Sequence, residues 1–238
     1  HDWQLKRLLA ILQNIGDKVE SLYIDAVGKN DVEVEQSALV SWLNTMPNLQ
    51  KISAGGLYSC KESRDDPSTL LNLCKLRSIS LCPLGLGLKL HQMPKASIKF
   101  LQLNDKVPLP NVEEVFKLHS ETFRTLQLFR TVYTDPLPFR HLKLTKFSCL
   151  YQEFMNNRVH NEFLMDIIEH QTKLKTLDLG EGDLASNCYP VNSQLLNLIC
   201  EQTQLEELSI GFNLDVTPGD VNQLRKLKNL KQLLLQTS

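Results

Sequence analysis

A six-residue pattern with apolar residues at its first, fourth and sixth positions recurs along the chain, with starts 21 to 31 residues apart. The nine copies are VESLYI from Val19, LQKISA from Leu49, LRSISL from Leu76, IKFLQL from Ile98, FRTLQL from Phe123, LTKFSC from Leu144, LKTLDL from Leu174, LEELSI from Leu205 and LKQLLL from Leu230. Alternation of apolar and polar residues predicts a short strand in each copy. The fourth and sixth residues of a copy then point into the core, and the third and fifth point outward.

Helix signals occupy most of the segments between the copies. Thr217, Pro218 and Asp220 supply a capping hydroxyl, a first-turn proline and an early carboxylate ahead of an apolar helix face. Ser193 stands in the same way before a second apolar face, and residues 162–170 carry apolar residues at helical spacing. Shorter helices are predicted over residues 36–42, 67–73 and 112–118.

The sixth copy has two possible positions. An apolar triplet that starts at Phe139 fits the template as well as the triplet that starts at Leu144, which keeps the spacing more regular. Ahead of it, Pro136 and Pro138 oppose a helix. We therefore expect a turn over residues 131–138 in place of a helix.

A strand and a helix of this length cannot bury their apolar faces alone, so neighbouring repeats must stack with their strands parallel. The sequence predicts an α/β solenoid of about nine repeats, a horseshoe arc with a parallel sheet on its concave face and helices on its convex face. Residues 19–238 form this repeat domain. Residues 1–18 are predicted to be an N-terminal helix or a half-repeat.

Leu205, Leu208, Ile210 and Asn213 reproduce the L-x-x-L-x-I-x-x-N signature, and from Val19 onward the chain resembles leucine-rich-repeat proteins. Its helical gaps, its spacings and its lack of a capping disulfide are similar to the intracellular classes, particularly F-box leucine-rich-repeat proteins. That resemblance implies a substrate receptor of a cullin-type ubiquitin ligase, whose F-box binds the adaptor and whose arc binds the substrate. F-box helices are not recognisable in this sequence.

Composition limits the kind of partner and the compartment. Twenty-six basic and 27 acidic residues leave a formal charge of -1, so no global field favours nucleic acid or an anionic membrane. The longest apolar stretch, residues 81–90, is too short to span a bilayer. The six cysteines form no CxxC pair and no Asn lies in a glycosylation sequence, so we expect reduced thiols and a cytoplasmic or nuclear protein.

The two ends of the sequence suggest a piece of a longer protein. The chain begins at His1 directly with a helix-like pattern, without a basic and apolar leader. The last copy has no polar cap, and an uncapped solenoid exposes its last apolar layer. We expect that further chain or a partner covers that end.

Basic residues dominate one outward position and predict a seat for an acidic or phosphorylated partner segment. The second position of a copy is basic in four of the five middle copies, and Lys146 lies beside this row. The four residues are Arg77, Lys99, Arg124 and Lys175. The alternative is that solubility places charges there, since Glu20 and Glu206 occupy the same position.

Aromatic residues and long loops supply the remaining candidates for partner binding. Phe100 and Phe129 stand where polar residues are expected, so we predict them as anchors of an interface; the alternative is that they tuck under a loop. Loops longer than stacking requires cover residues 28–35, 57–66, 150–161 and 180–192. The last of these ranks first because it carries Asp183 and Tyr189.

No catalytic constellation, phosphate-binding loop or metal-ligand spacing is present in the sequence. We therefore predict a protein-binding module without enzyme activity, cofactor or metal, which binds neither nucleic acid nor membrane. The substrate receptor of an F-box-type ligase is the leading function. A structural scaffold subunit of a larger intracellular assembly is the alternative, and an inhibitor or sensor of the ribonuclease-inhibitor type is a third.

Overall fold

The structure is a computed structural model, and its chain divides into two compact units, His1–Thr122 and Phe123–Ser238. The residues it describes are 10–11, 14–25, 43–55, 73–81, 90–93, 97–104, 111–129, 136–150, 157–180, 191–212 and 216–237.

Each predicted copy contains a strand that begins two residues after its first apolar residue. Within the described residues of the first unit the strands are β1 Ser21–Asp25, β2 Lys51–Gly55, β3 Ser78–Leu81 and β4 Phe100–Asn104. Those of the second unit are β5 Thr125–Phe129, β6 Lys146–Leu150, β7 Thr176–Asp178, β8 Glu207–Phe212 and β9 Gln232–Thr237. Because β6 begins at Lys146, the position of the sixth copy that starts at Leu144 is confirmed.

Within each unit the strands run parallel in chain order and pair in one register. The fourth residues of the copies face one another across the strands: Leu22, Ile52, Ile79 and Leu101 in the first unit, and Leu126, Phe147, Leu177, Leu208 and Leu233 in the second. All of these except Leu233 are buried, as the alternation predicted. The core therefore lies directly behind the strands.

A repeated backbone arrangement joins one copy to the next. The carbonyl at the second position accepts hydrogen bonds from two consecutive N–H groups of the following copy. The oxygen of Glu20 accepts from the N–H groups of Gln50 at 2.8 Å and Lys51 at 3.1 Å, and that of Glu206 accepts from Lys231 at 2.8 Å and Gln232 at 3.1 Å. Two consecutive N–H groups of the following copy are accepted in the same way by the carbonyls of Gln50, Arg77, Arg124, Thr145 and Lys175.

Helices lie between the strands. Those of the described residues with named bounds are α1 Val112–His119, α2 Asn157–His170, α3 Ser193–Glu201 and α4 Pro218–Asn222. Short 3-10 helices cover Gly16–Lys18, Leu90–Gln92, Leu137–Phe139 and Gln223–Lys226. The predicted helices over 112–118 and 162–170 are thus confirmed, whereas residues 36–42 and 67–72 lie outside the described residues.

The sequence predicted the cap of α4 correctly and the cap of α3 one residue too late. The Thr217 hydroxyl accepts from the N–H of Asp220 at 3.2 Å, while the Asp220 carboxylate accepts from the N–H of Thr217 at 2.9 Å, so the predicted cap is present. Ser193 is wrong as a cap: it is the first residue of α3, and the Asn192 side chain accepts from the N–H of Leu195 at 2.8 Å. An Asn with extended backbone is an equally good cap, and here it precedes the serine.

Buried polar side chains tie neighbouring repeats together. The Gln171 amide donates to the Phe139 carbonyl at 3.1 Å and accepts from the N–H of Leu144 at 2.9 Å. The ring of His119 occupies a similar place in the first unit, where Nδ1 accepts from the N–H of Ser97 at 3.1 Å. These groups satisfy backbone that the strands leave without partners.

The loop predicted over residues 150–161 is shorter than expected, because α2 already begins at Asn157. The first turn of α2 reads Asn-Arg-Val-His and carries a single apolar residue, Val159, so the apolar face is sparse before Phe163. Residues 28–35, 57–66, 131–135 and 181–190 lie outside the described residues. In the predicted turn over 131–138, the described part enters the short helix Leu137–Phe139.

Candidate functional site

The outward face of β6 to β9 combines two rows of side chains, fixed by the strand register. The third positions are Lys146, Thr176, Glu207 and Gln232, and the fifth positions are Ser148, Asp178, Ser209 and Leu234. On β6 to β8 their neighbours in sequence fill the core, so the other face of the sheet is packed there, whereas Leu233 and Leu235 on β9 are partly exposed.

An open depression of about 220 Å³ lies on this face. Its lining includes Lys146, Asp178, Glu207, Ser209 and Leu234. It thus contains two carboxylates, one ammonium group, neutral hydrogen-bonding groups and one exposed leucine. We refer to it below as the β6–β9 depression.

Hydrogen bonds within the sheet hold both carboxylates of the β6–β9 depression. The Asp178 carboxylate accepts from the hydroxyl of Ser148 at 3.3 Å and from the N–H of Gly180 at 3.2 Å, and Ser148 itself is fully buried. The Glu207 carboxylate accepts from the hydroxyl of Thr176 at 3.2 Å. These contacts use part of the acceptor capacity of each carboxylate and limit the rotation of its side chain.

Glu206 connects two of the basic residues at the second position of the copies. Its carboxylate lies 2.7 Å from the ammonium nitrogen of Lys175 and 2.6 Å from that of Lys231. Hydrogen bonds from the two lysines lower the pKa of Glu206 to about 2, and the same contact raises the pKa of Lys231. The predicted partner-binding residue Lys175 is therefore already paired with a carboxylate of the neighbouring strand.

The predicted candidates of the first unit lie on and beside its outward strand face. Arg77 is half-buried and donates to the carbonyls of Cys74 and Leu76 at 3.3 Å, whereas Lys99 is exposed. Phe100, the third residue of its copy and the first residue of β4, is half-buried. The two predicted residues Lys99 and Phe100 are consecutive in the chain and border the same strand end.

Tyr23 adds an aromatic contact to this first face. Its side chain is 63% exposed, and the ammonium nitrogen of Lys51 lies 5.1 Å from the centre of its ring. A lysine at this distance interacts favourably with the aromatic face. The first unit therefore presents cations together with an exposed ring.

The remaining candidates belong to the second unit or lie outside the described residues. Arg124 is exposed, and its guanidinium donates to the Phe123 carbonyl at 2.6 Å. Phe129 is half-buried at the end of β5. Asp183 and Tyr189 fall among residues 181–190, which the structure does not describe.

Sequence reasoning missed Asp178 and Glu207 as a pair. In its own copy, LKTLDL or LEELSI, each looks like an ordinary solvent-exposed polar residue. Residues at the same position of neighbouring copies pair across the parallel strands. Aligning the two copies would therefore have placed Asp178, a fifth position, and Glu207, a third position, on the same outward face and one register step apart. The signal was the register between copies and not the residue types.

Three further properties follow from the described residues. They contain no group of three or more His, Cys, Asp and Glu side chains placed to hold a metal ion. No helix among them has the length and apolar character needed to cross a membrane. Of the described cysteines, Cys149 and Cys200 are buried and Cys74 is exposed, and none of the three forms a disulfide.

No protein-family model and no curated protein sequence matches the chain. Two solved structures are similar to it along most of its length. The leucine-rich repeat-containing protein LegL7 from Legionella pneumophila superposes with a TM-score of 0.54 at 13% identity, over 97% of this chain and 87% of that one. The TLR13 chain of the TLR13–ssRNA13 complex gives a TM-score of 0.58 at 15% identity, over 93% of this chain and 33% of that one. The chain therefore has the α/β solenoid fold of leucine-rich-repeat proteins, as the sequence predicted.

Proposed function

We propose that the chain is a protein-binding module that holds its partner on the outward face of its parallel strands. The observation that carries this proposal is the fixed register: outward side chains stand in rows over a fully buried layer of leucine, isoleucine and phenylalanine. Strands of a sheet lie about 4.8 Å apart, so the rows present a stiff pattern of charges and hydrogen-bonding groups. Such preorganised side chains lose little entropy when a partner binds.

The chemistry of the first unit favours an acidic or phosphorylated segment as partner. Exposed Lys99 lies next to half-buried Phe100, and Lys51 and Tyr23 lie on the same unit's strands. Cations supply charge-assisted hydrogen bonds to carboxylates or phosphates, and aromatic side chains frequently dominate interface energies. We propose a protein and not a nucleic acid, because the formal charge is -1 and Asp178 and Glu207 face outward in the second unit.

At a finer level, we propose the substrate-recognition domain of an F-box-type ubiquitin ligase receptor in the cytoplasm or nucleus. Two features support this proposal: the full helices between strands, such as the 14-residue α2, and the irregular spacing of the copies. The ligase adaptor would bind a region outside this chain. The substrate would bind the strand face.

Affinity capture of the intact protein from cell extract, followed by mass spectrometry, tests both the protein-binding module and the ligase receptor. We expect recovery of a cullin and its small adaptor together with further proteins that are the substrates. A fixed set of structural subunits without ligase components would contradict the receptor and favour a scaffold. Capture of no protein at all would contradict the binding module.

A charge reversal in the first unit tests whether its face makes the contact. We expect Lys99→Glu combined with Phe100→Ala to reduce recovery of the partner about tenfold or more, because an ionic contact and an aromatic anchor are both lost. The matched control is Lys117→Glu, on the exposed surface of α1 in the same unit. Equal losses in both variants would contradict this role for the face.

A further inference from the structure

We propose that the outward face of β1 and β2 binds an acidic residue and an aromatic residue of one protein partner, the acid at Lys51 and the aromatic ring at Tyr23. The inference rests on the proposed protein-binding function and deepens it, because it names the pair of side chains that the first unit recognises. The sequence analysis had predicted Phe100 and Phe129 as aromatic anchors. Both are half-buried, whereas Tyr23 stands open to solvent.

Tyr23 offers the aromatic contact. Its side chain is 63% exposed, the largest value among the exposed large apolar side chains of the described residues. The preceding Leu22 is buried, so the pleat of β1 holds the ring of Tyr23 on the opposite, outward face. A tyrosine brings a large rigid ring to a contact and has few side-chain torsions to fix, which is why tyrosines are enriched at protein interfaces. A partner ring that packs on Tyr23 therefore gains contact area at a small entropic cost.

Lys51 stands beside this ring with a positive charge that the described residues leave unmatched. Its ammonium nitrogen lies 5.1 Å from the centre of the Tyr23 ring, and no carboxylate among the described residues forms an ion pair with it. In the second unit, by contrast, Lys175 and Lys231 are both paired with Glu206, at 2.7 and 2.6 Å. The contact with the ring holds the Lys51 ammonium group on the outward face without neutralising it, so an anionic group can still pair with it.

The charges around Lys51 favour an anion as its ligand. In the copies of the first unit, the second, third and fifth positions carry three basic residues, Lys51, Arg77 and Lys99, and one acidic residue, Glu20. Like charges repel a cationic ligand from this face, whereas a carboxylate is attracted to it. A carboxylate also accepts charge-assisted hydrogen bonds from an ammonium group, which are stronger than those between neutral groups. The face of the first unit is therefore complementary to an acidic residue.

The strand register sets the spacing of the two contacts. Ser21 pairs with Lys51, and Tyr23 pairs with Ser53, so Tyr23 and Lys51 are diagonal neighbours on adjacent strands. Diagonal neighbours on one face of a sheet have α-carbons roughly 7–8 Å apart. In an extended segment, alternate residues point to the same side and lie about 6.7 Å apart. An acidic and an aromatic residue two positions apart in an extended partner segment therefore reach Lys51 and Tyr23 at the same time.

The test uses three pentapeptides and the intact protein. Acetyl-Phe-Ser-Glu-Ser-Phe amide presents the acid and the ring two positions apart in both orders. A second peptide has glutamine in place of the glutamate, and a third has alanine in place of both phenylalanines. Chemical shifts of backbone amides are followed by NMR during titration. We expect shifts centred on residues 21–25 and 51–55, with the first peptide binding about threefold more tightly than the glutamine peptide and about fivefold more tightly than the alanine peptide.

Two variants assign each preference to its side chain. Lys51→Met keeps an unbranched stem beside Tyr23 and removes the charge, so it should abolish the preference for glutamate over glutamine and retain the preference for phenylalanine over alanine. Tyr23→Thr keeps a residue that suits a strand and removes the ring, so it should do the reverse. Lys117→Met, on the exposed surface of α1 in the same unit, is the matched control and should keep both preferences.

Loss of either preference in the parent protein would overturn the inference, and so would preferences that both variants keep or shifts centred outside β1 and β2. These outcomes differ from failure of the proposed function. If the captured partner is lost with Lys99→Glu and Phe100→Ala but the three peptides bind equally, the binding module stands and the contact at Tyr23 and Lys51 does not. If the peptides show both preferences but no protein is captured, that contact stands and the proposed function does not.

Discussion

His119 is a fully buried side chain at the end of α1, and its protonation state is fixed by its hydrogen bonds. Nδ1 lies 3.1 Å from the backbone nitrogen of Ser97 and accepts its N–H. A ring nitrogen that accepts a hydrogen bond carries no proton, so the imidazole is neutral. Burial also lowers the pKa of His119, from 6.5 to about 4, because a charged ring would be separated from water.

This histidine predicts a loss of stability in mild acid. Between pH 6.5 and about 4 the unfolded chain binds a proton that the folded chain does not, so the free energy of unfolding falls as the pH falls through this window. The contribution of neutral His119 to the free energy of unfolding is fully present above pH 6.5, and about 2 kcal/mol of it is lost at pH 5. Urea unfolding at pH 7.5 and pH 5 measures it.

His119→Gln is the informative variant, because Gln171 makes a similar backbone contact in the second unit without titrating. We expect the variant to lose about 2 kcal/mol less than the parent protein between pH 7.5 and 5. Identical pH dependence of the two proteins would show that other groups cause the acid sensitivity.

At the level of single residues, the sequence predicted whether a side chain points inward or outward better than it predicted which side chain it contacts. Alternation correctly separated inward Leu177 and Leu208 from outward Asp178 and Glu207. It did not predict that Glu206 binds Lys175 and Lys231, because ion pairs between copies depend on register and on rotamers. A residue type at a position does not specify these.

Elements were predictable where a local rule sets them. The strands begin at fixed places in the copies because alternate residues must face the core, and α4 begins at its capping box. The start of α2 was missed because its first turn carries a single apolar residue, Val159.

The cap of α4 predicts a measurable contribution to stability. The Thr217 hydroxyl accepts from the N–H of Asp220, and the Asp220 carboxylate binds Thr217 and the hydroxyl of Ser193, contacts that lower the pKa of Asp220. We expect Thr217→Ala to lower the free energy of unfolding by about 1 kcal/mol, measured by urea denaturation. Thr217→Ser keeps an acceptor and should retain most of the stability. Equal losses in the two variants would assign the effect to the methyl group.

On the scale of the whole molecule, the last strand differs from the others. Leu233 and Leu235 occupy inward positions, yet they are 42% and 41% exposed, and Leu234 between them is 49% exposed. In the described part of the chain β9 pairs with β8 along one edge and stands last in the strand order. Apolar side chains on such an edge favour association between molecules.

We therefore predict that the isolated chain associates in a concentration-dependent way, measured by sedimentation velocity. Leu233→Thr with Leu235→Thr should reduce association at a moderate cost in stability, because each leucine already exposes about two fifths of its surface. Ile15→Thr removes a side chain of similar exposure, 43%, away from β9 and is the control. Association that persists unchanged in the double variant would exclude this edge as its cause.

The bonding of two N–H groups to one carbonyl also determines which changes of chain length this fold tolerates. Because neighbouring copies within each unit are joined at that carbonyl, the segment between them can gain or lose residues without disturbing the joint, and the spacings of the copies already range from 21 to 31. A single residue added inside a copy has the opposite effect, since it exchanges the inward and outward sets beyond it. Insertions and deletions in descendants of this sequence should therefore accumulate between the strands and be eliminated within them.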